Sequence, residues 1–299
     1  QDYSASEIND ILSKSMFFKR AVKSKLDIPQ DLKGKHVLLL FEKPSTRTRI
    51  SMCVAVSMLG GAPIPVDKSS LQASRGETLK DTALVLSRYV DAIAARVKDH
   101  NSLLELSKHA SIPVINMLSD KFHPLQALAD AMTILENKGL KKDLIIVFVG
   151  DGSANTCHSL MIVCSKLGFR FRVACPEGYK PDEKILNSAL SNCKSSGASI
   201  SIFLDPKEAV QDADVIYTDT WFSMGVTDIE RRKKVFPPYQ VNSELLSYAK
   251  KDVIVLHCQP WFLGQEITED VAYGPHSKAF DQAENRLYTS MAVLSKLLK

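Results

Sequence analysis

Five consecutive residues, Ser45-Thr46-Arg47-Thr48-Arg49, put hydroxyls and two guanidiniums together where a helix is expected to begin. Residues 36–41 form a short apolar run that reads as a buried strand. Pro44 breaks that run, so Ser45 or Thr46 can cap a helix from about residue 47 to 59, which Gly60-Gly61 stops. A cation in the first helical turn opposes the macrodipole at a cost of roughly 0.3–1 kcal/mol. Two arginines, hydroxyls and unpaired backbone N–H groups at one helix start suit a bound phosphate. The plain alternative is a capped helix with two solvated arginines.

Other polar residues recur at comparable places. Arg96 closes an apolar run over 91–96, where a lone arginine is more often a surface or ion-pair residue. In His123-Pro124-Leu125-Gln126 the proline holds His123 in extended geometry at the mouth of a helix. A capping or merely exposed histidine is the rival reading. Taken together, Ser45 to Thr48, Arg96, His123 and Gln126 can hold a phosphate and polarise an adjacent carbonyl.

In the second half, Gly150-Asp151-Gly152-Ser153-Ala154-Asn155 lacks the third glycine of a dinucleotide fingerprint, and no phosphate-loop pattern occurs anywhere. Asn155 near a helix start suits a substrate amine or carboxylate, or an ordinary N-cap. Asp219-Thr220-Trp221-Phe222-Ser223-Met224-Gly225 offers an acid, a hydroxyl and a soft apolar residue, a set that suits an amino acid. Residues 230–234 (Glu-Arg-Arg-Lys-Lys) read as a solvated helix face. His257-Cys258-Gln259-Pro260 ends another strand. Adjacent strand residues point to opposite faces, which argues against a Cys–His nucleophile pair and for Cys258 as a substrate contact.

These residues need a scaffold, and short β-rich runs alternating with helical patterns supply one. Strands are expected at 36–41, 91–96, 112–116, 144–149, 171–174, 199–203, 214–217 and 253–256. Such alternation predicts an α/β protein of two doubly wound parallel-sheet domains. Ligands of these sheets bind at the carboxyl ends of strands, where Ser45 to Arg49, Arg96, His123, Asn155, Asp219 and Cys258 repeatedly fall. The helix starting at Pro124 is expected to link the domains, with a boundary inside 125–140. Domain one covers 1–130 and domain two 131–279, with a helix over 280–299 packing back on the first.

At 299 residues, 45% hydrophobic and 24% charged, the chain reads as a soluble globular protein. The net charge of +4 is mild and its basic residues are scattered, which fits small anions and excludes a nucleic-acid footprint. The six cysteines show no metal-site or redox spacing, and most lie in apolar runs, as free thiols of a reducing compartment do. No apolar run reaches the ~18 residues of a membrane span. No signal peptide is evident at Gln1, so a cytoplasmic location is expected, or the mitochondrial matrix if a transit peptide was removed.

Together the motifs resemble the aspartate/ornithine carbamoyltransferase family, in particular its ornithine branch, over nearly the whole chain. Phe41-Glu42-Lys43-Pro44-Ser45-Thr46-Arg47-Thr48-Arg49 is similar to that family's carbamoyl phosphate motif. His123 to Gln126 resembles its H-P-x-Q, Asp219 to Gly225 its D-x-x-x-S-M-G, and Phe280-Asp281-Gln282-Ala283-Glu284-Asn285-Arg286 its late arginine motif. The resemblance implies transfer of a carbamoyl group from carbamoyl phosphate to the δ-amine of L-ornithine, as in arginine biosynthesis, with the active site in the cleft between the domains. It implies catalytic roles for Arg96, His123, Asp219 and Cys258. Carbamoyl phosphate would be held by Ser45, Thr46, Arg47, Thr48, Gln72, Arg96, His123, Gln126, Gln259 and Arg286. Ornithine would be held by Asn155, Asp219, Ser223, Met224 and Cys258.

It further implies no metal and no organic cofactor, since the leaving group is already activated. Gln72 resembles a loop residue lent to a neighbouring subunit, which implies a homotrimer with shared active sites, without nucleic acid or membrane partners. One departure stands out: the family's His-Cys-Leu-Pro reads His257-Cys258-Gln259-Pro260 here, with Trp261 following. Two rivals stay open. One is a carbamoyltransferase for another amine, such as putrescine or acetylornithine. The other is a non-catalytic homologue that binds small anions.

Overall fold

A computed structural model describes residues 2–70, 76–139, 141, 143–223 and 226–299. The chain divides into two compact units. The first holds Ser6–Met132 and Glu284–Lys299; the second holds Thr133–Ala283 with the N-terminal residues through Ala5.

The first unit begins in α1 (Ala5–Lys23) and continues through β1 (His36–Phe41), α2 (Thr46–Met58), β2 (Ala62–Asp67), α3 (Leu79–Leu86), β3 (Ala92–Arg96), α4 (His100–His109), β4 (Val114–Leu118) and α5 (Pro124–Lys138). Its strands form an all-parallel sheet in the order β2-β1-β3-β4. The interior strands are apolar because both faces are covered: β1 is buried from Val37 to Phe41, and β3 from Ala92 to Ala95. Leu38, Leu40, Ile93 and Ala95 meet Ala83 of α3 and Leu103 and Leu106 of α4 in one core.

The second unit runs β5 (Ile145–Val149), α6 (Asn155–Leu167), β6 (Arg170–Ala174), α7 (Glu183–Ser196), β7 (Ser199–Phe203), α8 (Pro206–Ala209), β8 (Val215–Thr218), α9 (Ile229–Val235), α10 (Ser243–Leu246), β9 (Ile254–His257), α11 (Glu269–Ala272) and α12 (Ala279–Leu298). Its parallel sheet is ordered β7-β6-β5-β8-β9. The chain changes unit within α5, between Met132 and Thr133, and again within α12, between Ala283 and Glu284.

Each sheet has one place where successive strands depart in opposite directions. In the first it lies between β1 and β3; in the second, between β5 and β8. Loops leaving the carboxyl ends of such a strand pair diverge and leave a crevice. The residues leaving β1 are Glu42 to Ser45 and β3 ends in Arg96; those leaving β5 lead to Asn155, and β8 is followed by Asp219.

The expected strands are found with ends shifted by one or two residues, but β2 was not among them. Pro63 and Pro65 hide it. They alternate, so their missing N–H groups can share the unpaired side of an edge strand, and β2 is an edge.

Candidate active site

The first group of polar residues is built at the start of α2. Ser45 is the N-cap, in extended geometry, and its hydroxyl accepts from the Thr48 backbone N–H at 3.3 Å. The other N–H groups of the first turn have no acceptor within the helix and point out of its mouth. The mouth opens to solvent through a depression lined by Pro44, Ser45, Thr46, Arg49, Ile50 and Asp67.

Two further segments, α12 and the start of α5, converge on Thr48. Arg286, 3% exposed on α12, donates through Nη2 to Thr48 Oγ1 at 2.9 Å and through Nη1 to Gln126 Oε1 at 2.6 Å. Gln126 in turn donates to Asp130 Oδ1 at 2.8 Å, which fixes its amide with the oxygen facing the guanidinium. Arg286 Nη1 also stands 3.5 Å from His123 Nε2. A guanidinium only donates, so that ring nitrogen accepts and the imidazole proton belongs on Nδ1. His123 is itself 5% exposed, one residue before α5.

The charges around this imidazole are of one sign. Burial first, then the guanidiniums of Arg286, Arg96 and Arg47, hold His123 well below the ordinary histidine value of 6.5. It is therefore a neutral hydrogen-bond donor at neutral pH. Lys43 is depressed in the same way, by burial and then by Arg96 and Lys98. A concave set of fixed donors with surplus positive charge is suited to an anion carrying a carbonyl.

Arg49 does not join this set. Its guanidinium pairs with Asp67 and lies over the Phe41 ring, 4.2 Å from the centroid. That pins the start of α2 to the end of β2, a structural task. Of the two arginines in the opening motif, only Arg47 belongs to the field at His123.

The second group forms at the carboxyl ends of β5, β8 and β9. Asp219 accepts from Thr156 Oγ1 at 2.8 Å, from the Thr220 N–H at 2.8 Å and from Cys258 Sγ at 3.2 Å. Asn155 is the first residue of α6, with Ala154 as the N-cap, so it is not a cap itself. Burial holds the thiols of Cys157 and Cys175 protonated, the latter pushed up to about 11. Half-buried Cys258, bonded to a carboxylate, is set apart from them. Ser223 is exposed in the loop beyond. Gln72 and Met224 lie outside the described residues.

Asp219, His257 and Cys258 bring three potential metal-ligand atoms within 4.8 Å of one another. Both nitrogens of His257 are engaged, however: Nδ1 accepts from the Gln259 N–H at 2.8 Å, and Nε2 meets Glu266 Oε1 at 3.2 Å. A cation bound through either nitrogen would have to displace the bond that nitrogen makes. The same engagement leaves neither nitrogen to serve as a base for Cys258.

Several supporting residues were missed in the sequence. Thr156 steers Asp219, yet a threonine in the first helical turn carries no distinguishing pattern. Glu266 lies beyond the reach of any local motif. Gln282, inside the late arginine motif, accepts from the His257 N–H at 3.0 Å through Oε1. Arg232 was counted in a solvated face but is 7% exposed. It pairs with Asp151 at 2.7 Å and Asp228 at 2.8 Å, and donates to the Trp221 carbonyl at 2.8 Å.

The family model described as the carbamoyl-P binding domain of aspartate/ornithine carbamoyltransferase matches residues 1–136, and the one described as its Asp/Orn binding domain matches 142–297. The chain is 51% identical over 300 residues to the anabolic ornithine carbamoyltransferase of Pyrococcus furiosus, spanning 100% of this chain and 94% of that one. A solved ornithine carbamoyltransferase from Pyrococcus furiosus superposes with a TM-score of 0.95 at 50% identity, covering 99% of this chain and 95% of the other. The mitochondrial ornithine carbamoyltransferase of Coccidioides immitis does so with a TM-score of 0.91 at 35% identity, covering 99% and 95%.

Proposed function

The chain belongs to the aspartate/ornithine carbamoyltransferase family, and from that premise we propose how its residues divide the work of the ornithine reaction. It transfers the carbamoyl group of carbamoyl phosphate to the δ-amine of L-ornithine, giving L-citrulline and phosphate. The phosphate lies at the start of α2 against Ser45, Thr46, Arg47 and Thr48. The carbamoyl oxygen takes hydrogen bonds from Arg96 and His123, with Gln126 and Arg286 completing the cradle.

Ornithine is held through its α-amino and α-carboxylate groups by Asn155, Asp219, Ser223 and Met224. Its δ-amine is handled by Asp219 and Cys258, with Gln259 serving the carbamoyl group through its backbone carbonyl. The neutral δ-amine adds to the carbonyl carbon and the oxygen gains negative charge. The bond between the carbonyl carbon and the oxygen bridging to phosphorus then breaks as the carbonyl re-forms, phosphate departs into the arginine cradle, and the nitrogen gives its extra proton to that departing phosphate. Most of the acceleration comes from orientation and from donors already aimed at the developing oxyanion.

The observation that carries this reading is the meeting of Thr48, His123, Gln126 and Arg286, from sequence-distant segments, in a field that keeps His123 neutral. The test is citrulline formation by the purified protein and an Arg47→Ala variant. The variant is expected to lose at least roughly a hundredfold in kcat/KM for carbamoyl phosphate; full retention would remove Arg47 from the phosphate site.

We further propose a homotrimer in which Gln72 serves a neighbouring subunit's site, operating in the biosynthetic direction and in a reducing compartment. Exposed Ile50 and Val54, one turn apart on α2, and exposed Ile64 on β2 support an interface beside the phosphate end. No helix among the described residues is long and apolar enough to cross a membrane.

A further inference from the structure

The segment that carries Cys258 is held from behind by a buried pair outside the reacting set. His257 is 1% exposed and Glu266 is fully buried. The Gln259 N–H donates to His257 Nδ1 at 2.8 Å, so that nitrogen holds no proton. The remaining ring proton must be on Nε2, which faces Glu266 Oε1 at 3.2 Å. The same carboxylate oxygen accepts from the Phe262 N–H at 2.6 Å, tying down the far side of the loop. A carboxylate opposite Nε2 therefore selects one tautomer, and only that tautomer can receive the Gln259 N–H.

The consequence falls on the residues between. Gln259 sits at φ +56°, the left-handed region that non-glycine residues rarely occupy. Its N–H bond to His257 helps hold that conformation. Cys258 lies between the two partners, and its thiol is delivered to Asp219 at 3.2 Å. The ring cannot readily turn over. Trp261 stands edge-on to it, with centroids 5.8 Å apart and planes at 72°, and is itself backed by Tyr273 at 5.1 Å and Phe280 at 5.7 Å. The backbone N–H of His257 is held separately by Gln282.

We propose that Glu266 is a positioning residue for the transfer reaction: it fixes His257 as the neutral Nε2–H tautomer and thereby sets the Cys258–Gln259 backbone that presents the thiol to the amine and the Gln259 carbonyl to the carbamoyl group. Trp261, the residue that follows the altered Cys258-Gln259-Pro260 motif, acts as the stop that keeps the ring in place. The kinetic part rests on the proposed ornithine reaction; the tautomer does not.

Two measurements test it. In the intact protein labelled with 15N-histidine, with His257→Asn used to identify the signal, His257 is expected as the neutral Nε2–H form at assay pH. An Nδ1–H form or an imidazolium would overturn the proposal. Glu266→Leu is expected to lower kcat/KM for ornithine by about tenfold or more, because it leaves buried donors without their acceptor. The inhibition constant of inorganic phosphate, which reports the anion site alone, stays within about twofold. Unchanged ornithine kinetics, or a parallel loss of phosphate affinity, would contradict it. If Glu266→Leu does not fold, Glu266→Gln decides: it keeps an acceptor oxygen, so it must keep the Nε2–H tautomer and most of the activity. A wild-type protein that forms no citrulline would defeat the ornithine reading while leaving the tautomer result to stand or fall alone.

Discussion

His123 works as a donor because its surroundings deny it a second proton. Burial and three neighbouring guanidiniums lower its proton affinity, so the group proposed to face the carbonyl is an imidazole. The sign of the pH effect follows. An unfolded histidine takes up a proton near 6.5, whereas this one does so only well below that value, so acidification favours the unfolded chain. Stability is therefore expected to fall as pH drops from about 6.5 towards the folded value, and a His123→Asn variant should lose less across that window. Urea midpoints at pH 7.5 and 5.5 measure this; equal slopes would mean that His123 is not depressed. Arg286 acts through its shape. An Arg286→Lys change keeps the charge but not the fork that spans Thr48 and Gln126. A fall of roughly a hundredfold in kcat/KM for carbamoyl phosphate is expected, read from initial rates. The residue types of this site were legible in the sequence because hydroxyls, arginines and a His-Pro step recur at strand ends. The separate fate of Arg49 was not, since its partner Asp67 comes from a strand masked by two prolines.

At the scale of elements, α9 shows how a charge-rich helix can mislead. Glu230 and Lys233 pair with each other in solvent, as a solvated face should. Arg232 turns inward and joins Asp151, after β5, to the Trp221 carbonyl, after β8. Nothing in a run of like charges marks which of its members is buried, because burial is decided by distant acids. Arg232→Leu would leave Asp151 buried without its counter-ion, a loss of about 3–5 kcal/mol in unfolding free energy. Denaturant titration measures that, and a change under about 1 kcal/mol would show the pair to be dispensable. Ornithine KM is expected to rise in the same variant, since the loop from Asp219 loses the anchor on its carbonyl. Strand identity was readable from apolar runs, and β2 escaped because its edge position tolerates residues that a central strand excludes.

At the scale of the whole molecule, each unit has its own parallel sheet, and each sheet reverses direction beside its polar cluster. Strand–helix alternation makes that architecture visible in the sequence, whereas the return of the last helix to the first unit depends on which apolar face it buries. Arg286 reaches His123 through that return. The proposed carbonyl-activating groups lie in the first unit and the proposed amine-handling ones in the second. Sedimentation equilibrium is expected to find three chains per particle, and a monomer that retains full activity would exclude the shared site assigned to Gln72. The central claim is acceptor chemistry, and steady-state turnover of carbamoyl phosphate with L-ornithine, putrescine and acetylornithine compared side by side tests it most directly. Citrulline from L-ornithine is predicted, with putrescine, which lacks the α-carboxylate, poorer by at least roughly a hundredfold in kcat/KM. Equal use of putrescine, or no turnover of any acceptor, would contradict the account.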